Sequence, residues 1–215
     1  DSYFESDIKP YTLSQFIKSG TDLTKKIPDY QRPYSWSENH ILAFLMDVYK
    51  ISKEDDGKGW FIGTIFMVRD SENTSQANLL DGQQRITSFF LICRVLMTIK
   101  HEDIFDSLES SFPDIHTKLE DIHDSIKETI YNDESLRFIP EENSIKLIEK
   151  FLLPKAIRKK LKYKEWKEDF DAYEAENGIS ATFLRLKNNI SIIEQFITDL
   201  CTKRFDNDDF TSDSI

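Results

Sequence analysis

The spacing of apolar residues changes character near residue 100. Upstream, short apolar runs alternate with polar, aromatic and charged stretches, as in interleaved strands and helices. Thr12-Leu13-Ser14-Gln15 has capping-box form, and Leu13, Phe16 and Ile17 follow as a narrow stripe. That pattern predicts a helix over about 12–19, closed by Gly20 as its C′ residue. Lys26-Ile27 reads as a short strand interrupted by Pro28. Pro28 and Pro33 bracket Asp29-Tyr30-Gln31-Arg32, which predicts a stiff, extended segment, because proline and its preceding residue avoid the helical region. Ser37 caps a second helix with Ile41, Leu42, Leu45, Val48 and Tyr49 at helical spacing, ending in the charged turn 53–59. His40, in its first turn, has no second base nearby and carries no catalytic reading. Trp60 to Val68 is rich in aromatic and β-branched residues and predicts a strand, with Gly63 marking a bulge or a close approach. A polar turn over 69–77 and a return strand, Asn78-Leu79-Leu80, complete a hairpin. The run from about Gln83 to Lys100 is apolar nearly all round, with Ile86, Phe89, Phe90, Leu91, Ile92, Val95, Leu96, Met97 and Ile99. A helix of that kind belongs in the middle of a domain and holds its own start rigidly.

Downstream the pattern turns to helices with acidic outer faces. Ser111 and Pro113 open one, whose Ile115, Leu119, Ile122, Ile126 and Ile130 keep helical steps. Pro140 opens a second, with Ile145, Ile148, Phe151 and Leu152 facing inward until Pro154. Residues 155–177 are charged and helical, ending at Gly178. Ser180 caps a last helix carrying Phe183, Leu186, Ile190, Ile193, Phe196, Ile197 and Leu200. The predicted class is α+β: a half over residues 1–100 with a small mixed sheet, a mainly helical region over 101–204 packed on it, and an acidic tail or linker over 205–215.

The chemistry concentrates where the hairpin meets the apolar helix, in Leu79-Leu80-Asp81-Gly82-Gln83-Gln84-Arg85-Ile86-Thr87. A strand-to-helix turn points free backbone N–H groups outward, and the helix dipole adds partial positive charge. Such a place suits a phosphate. Gly82 allows close backbone approach or a positive φ, and Arg85 can grip phosphate bidentately. Asp81 can hold a metal ion or a ribose hydroxyl. The plainer reading is an ordinary Asp-Gly turn with Asp81 as a helix cap. A second polar-aromatic run, Ile27-Pro28-Asp29-Tyr30-Gln31-Arg32-Pro33-Tyr34-Ser35-Trp36, tips the balance toward a site. One anion site can use both runs, so Tyr30-Gln31-Arg32 is expected close to Asp81-Gly82-Gln83-Gln84-Arg85. Trp36 itself is expected beneath the loop as core.

These two runs, with Phe61-Ile62-Gly63-Thr64 between them, resemble the N-terminal domain of the GmrSD-type (type IV) restriction endonucleases, in the ParB/sulfiredoxin-like superfamily. The three motifs stand in the family's order over residues 8–100. The resemblance implies a ParB-like domain with a DGQQR motif that binds and hydrolyses a nucleoside triphosphate with Mg²⁺. Turnover would control restriction of modified phage DNA by an attached or partner nuclease. It implies catalytic roles for Asp81, Gln83, Gln84 and Arg85, with Asp81 also the metal ligand. Gln83 or Gln84 would orient water, and Arg85 would stabilise γ-phosphate charge. Nucleotide contacts would come from Tyr30, Gln31, Arg32, Gly63, Thr64, Gly82 and Thr87. GTP, UTP, CTP and ATP are not distinguished, and a homodimer is allowed. The alternative is a module without turnover, a nucleotide switch or a sensor of DNA modification, with a base stacked on Tyr30 and read by Gln31. Sulfiredoxin chemistry is set aside, because it needs a cysteine in this loop and Asp-Gly-Gln-Gln-Arg has none.

Composition and charge narrow the partners. With 16 Phe and 8 Tyr but only 6 Gly and 6 Pro, a sizeable helix-rich core is affordable in 215 residues. The net charge is −11, yet residues 1–100 carry 12 basic and 13 acidic groups against 16 and 26 in the remainder. A globally acidic chain is a poor non-specific DNA binder, while the near-neutral first part leaves room for an anion. The basic run Lys155, Arg158, Lys159, Lys160, Lys162, Lys164, Lys167 lies beside Glu165, Glu168 and Asp169 and reads first as a solvated helix face. Cys93 and Cys201 have no metal-like spacing, and Cys93 reads as a small buried hydrophobe. The acidic start has no signal-peptide core, and Phe89 to Ile99 is too short to span a membrane, so a soluble cytoplasmic protein is expected. The sequence has no G-x-x-x-x-G-K-[ST] or G-x-G-x-x-G loop and no His-Asn-His nuclease cluster.

Overall fold

The computed structural model describes residues 10–19, 23–53, 61–98, 115–132, 135–140 and 171–203. Helix α1 (Leu13–Lys18) starts in the capping box its sequence predicts, with Thr12 and Gln15 each bonding the other's backbone N–H. Strand β1 (Thr24–Lys26) follows, then helix α2 (Glu38–Lys53). At its start, Ser37 and His40 bond each other, and His40 Nδ1 also takes the Ser37 N–H, so His40 is a capping group. Strands β2 (Phe66–Arg69) and β3 (Gln76–Asp81) form the expected hairpin and lead into helix α3 (Gln83–Thr98). Beyond it come helix α4 (Ile115–Ile130), strands β4 (Tyr131–Asn132), β5 (Ser135–Leu136) and β6 (Phe138–Ile139), a helical segment over 171–177, and helix α5 (Ala181–Lys203).

One mixed sheet has the order β2-β3-β1-β6. Strand β1 runs parallel to both β3 and β6, with Lys25 opposite Ala77 and Phe138, and β2 closes the edge antiparallel to β3. A small antiparallel pair, β4 with β5, lies beside it. The α+β expectation with a small mixed sheet therefore holds.

Three local expectations are corrected. The segment after Pro28 is not extended: the Gln31 N–H reaches the Pro28 carbonyl at 2.9 Å, closing a turn over 28–31. Pro28 stands first in that turn, where its fixed φ constrains neither central residue. Among the described residues of the strand expected over 60–68, only Phe66–Val68 are in strand, which runs on to Arg69, because Gly63 adopts φ +107° and breaks the extended run. The region after 100 also supplies three short strands as well as helices, and one of them joins the main sheet. Expectations for Gly20, the turn 54–59, Ser111–Pro113, the helix after Pro140, the basic run 155–167 and the tail 205–215 lie outside the described residues.

The core lies between the sheet and α2, α3 and α5. Ile17, Ile27, Ile41, Leu79, Ile86, Phe90, Phe183 and Ile190 are buried within it. Phe90 of α3 stacks on Phe138 of β6 with ring centres 4.7 Å apart, which ties the late strand to the central helix. Trp36 packs against this core and meets Phe44 edge-on, as expected. Cys93 is buried, and burial pushes its thiol up to about 12. Two cations are inside as well. Lys25 is fully buried and donates to the carbonyls of Ile17, Ser19 and Leu23 at 2.6, 2.6 and 3.1 Å. Arg94, at 1 % exposure in α3, lies near Tyr131.

Candidate functional site

The hairpin delivers Asp81 to the end of β3, and Gly82 turns the chain into α3 at φ +86°. The Gly82 carbonyl takes the first helical bond, from Ile86 N–H at 3.0 Å, so glycine occupies the N-cap. A Cβ there would meet Ile65 at 2.9 Å, so both backbone conformation and packing require glycine. No side chain among the described residues caps the N–H groups of Gln83, Gln84 or Arg85, and the first turn of α3 holds no acid. Asp81 is exposed, and one of its carboxylate oxygens accepts the Gly82 N–H at 2.8 Å.

Arg85 lies three positions inside the helix start, where a cation opposes the dipole by about 0.3–1 kcal/mol. Its side chain turns back over the Phe61–Ile65 segment, and Nη1 donates to the Ile62 carbonyl at 2.8 Å. Gly63 is what admits it: a Cβ at that position would fall 2.0 Å from Nη1. Among the described residues Arg85 makes no ion pair. Thr64 beside Gly63 is exposed.

The second motif does come to this corner. Gln31 Nε2 donates to the Leu80 carbonyl, and Gln31 Oε1 accepts from Gln83 Nε2, each at 3.2 Å. Tyr30 is 74 % exposed and Arg32 is exposed beside it. Gln84 is buried and clamps the loop from α3, accepting the Ser35 N–H at 2.7 Å and donating to the Pro33 carbonyl at 3.2 Å. Thr87 is buried at 3 %, with its hydroxyl donated to the Gln83 carbonyl at 2.8 Å. The corner thus gathers Gln31, Asp81, Gly82, Gln83, Arg85 and Gly63. It commits both ends of the Gln84 amide to the loop and the Thr87 hydroxyl to its own helix. Sequence reasoning missed Asn189, which reaches the same loop from α5 with 3.0 Å bonds to the Tyr34 hydroxyl and the Trp36 carbonyl. Its only sequence signal is an amide amid the apolar stripe Leu186, Ile190, Ile193.

A divalent metal needs oxygen ligands, and no group of three or more His, Cys, Asp or Glu gathers among the described residues. That suits Mg²⁺ only as it binds with phosphates, through one or two carboxylates and water. Asp81, exposed with one carboxylate oxygen uncommitted among the described residues, fits that limited role.

Fold and corner together define an α+β domain with a polar, glycine-turned strand-to-helix loop. The chain matches the family model for the N-terminal domain of GmrSD restriction endonucleases over residues 13–214 and belongs to that family. Membership makes it part of a restriction system for modified DNA in phage defence, acting with a nuclease. A search of curated proteins found no match. No helix among the described residues is long and apolar enough to cross a membrane.

Proposed function

We propose that the Asp81–Arg85 corner binds a nucleoside triphosphate with Mg²⁺ and hydrolyses it, and that turnover controls restriction of modified DNA by the nuclease. One observation carries this reading. Arg85 sits at a helix start whose N–H groups no side chain among the described residues caps, with glycine at the N-cap and no acid in the first turn. Glycine at 82 is demanded by the turn itself, but a purely structural first turn would place an acid, not a cation, at the position of Arg85. A phosphate reverses the preference, because N–H groups and guanidinium then share one anion.

Water attacks the γ-phosphorus, the bond from phosphorus to the β–γ bridging oxygen breaks with its electron pair going to the nucleoside diphosphate, and the water oxygen stays on inorganic phosphate while its proton passes to phosphate or solvent. The helix N–H groups and Arg85 hold phosphate oxygens and offset their charge as it shifts. Gln83, tethered through Gln31, orients the water. Gln84 keeps the loop in place. Asp81 would hold Mg²⁺, whose charge neutralises the phosphates when bound. Tyr30, Gln31 and Arg32 form the mouth on the nucleoside side.

Incubation of the purified protein with each of GTP, UTP, CTP and ATP plus Mg²⁺, followed by assay for free phosphate, tests this. Release that Arg85→Ala and Asp81→Asn abolish supports the reading. Binding without release selects the non-catalytic switch, and absence of binding to all four refutes the proposal.

A further inference from the structure

A buried polar network joins the site loop to α5. Tyr34 is buried, and its hydroxyl lies 2.8 Å from Ser88 Oγ on α3. Asn189 Nδ2, 155 positions later, donates to the Tyr34 hydroxyl and to the Trp36 carbonyl, each at 3.0 Å. The Tyr34 hydroxyl accepts from Asn189 and shares its other bond with Ser88 Oγ, in which either oxygen can donate. Gln84 holds Pro33 and Ser35 from the α3 side. Residues 33–36 are therefore gripped by two helices, and Gln31 lies two positions before them.

We infer that Asn189 is a positioning residue of the corner: through it α5 sets where Pro33–Trp36 lies, and so where Gln31 meets Gln83. Its neighbours on the helix face, Leu186, Ile190 and Ile193, are buried and apolar. Leucine at 189 would serve packing alone equally well. A buried amide is costly unless its bonds are made, and these bonds close together in one loop position only. The ligand arm of the inference rests on the triphosphate reading, and the structural arm does not.

Asn189→Leu conserves bulk and removes both donated bonds. Amide hydrogen exchange at Ser35 should quicken about tenfold, while the β1 and β3 amides hold their rates. Triphosphate Kd should rise roughly tenfold, the scale of coupling expected within one hydrogen-bond network. Tyr34→Phe, a milder change that serves if Asn189→Leu fails to fold, should do the same, and the two together should give less than the product. Ile193→Ala is the control, which lowers stability and moves neither readout. Unchanged exchange at Ser35, or an equal rise in Ile193→Ala, overturns the positioning role. A wild-type protein that binds no triphosphate sinks the triphosphate reading instead, and the Ser35 exchange rate alone then decides for or against Asn189.

Discussion

Arg85 and Gly63 act as a pair. The arginine reaches the Ile62 carbonyl only because position 63 has no Cβ. Gly63→Ala would put a methyl group 2.0 Å from Nη1 and would force a left-handed φ on alanine, which costs about 1–2 kcal/mol. The flexible end of Arg85 moves first, so the guanidinium leaves its place over 61–65. The expected outcome is a modest drop in melting temperature with a larger fractional loss of triphosphate affinity, read by calorimetry on one preparation. Residues like these were legible in the sequence because their types conflict with their setting: a glycine in a strand-like run, a cation at a helix start. Asn189 and Arg94 were not legible, because the groups they meet lie far along the chain. His40 shows the opposite case, a polar group whose partner Ser37 is local.

At the scale of elements, Lys25 ties the end of α1 to β1 through three backbone carbonyls. Burial first, and the Arg137 cation second, bring its ammonium down from 10.5 to about 8. Between those values the unfolded chain holds a proton that the folded chain has released. This group therefore adds stability as pH climbs from about 8 toward 10.5, and none of that gain is present below 8. Lys25→Met leaves the carbonyls unmet and should cost about 1–3 kcal/mol at pH 7. The gap to wild type should widen between pH 8 and 10, measured by urea unfolding at each pH; a gap that narrows would contradict the assignment. Helices α1, α2 and α3 and the β2–β3 hairpin follow from apolar period and capping residues. Strand β6 could not be read, because two residues carry no period and their place is set by Phe138 stacking on Phe90. The turn at Pro28 was misread because the bracketing prolines suggested an extended backbone, whereas one local hydrogen bond closes it.

For the whole molecule, the sheet and α3 fix the corner while α5 braces the loop above it. A ligand bound only by the folded state stabilises it by about 2.7 kcal/mol at a hundred times Kd. For a chain of this size, roughly 2–4 °C per kcal/mol, the right triphosphate should raise the melting temperature by about 5–10 °C. The acidic balance, net −11, predicts that this protein alone has little affinity for unmodified duplex DNA at physiological salt. The central claim is that Arg85 serves a phosphate and not the fold. Its charge-assisted, part-buried bond to Ile62 stands at the low end of about 1.5–3 kcal/mol and is offset in part by the roughly 0.3–1 kcal/mol it loses against the helix dipole. Titration calorimetry of wild type and Arg85→Ala with Mg²⁺-triphosphate, with melting temperatures taken alongside, tests this most directly. The account predicts an affinity loss of about ten- to hundredfold, from a charge-assisted contact of about 1.5–3 kcal/mol, with the melting temperature of the free protein lowered by only a few degrees. A lowered melting temperature with unchanged affinity would contradict it.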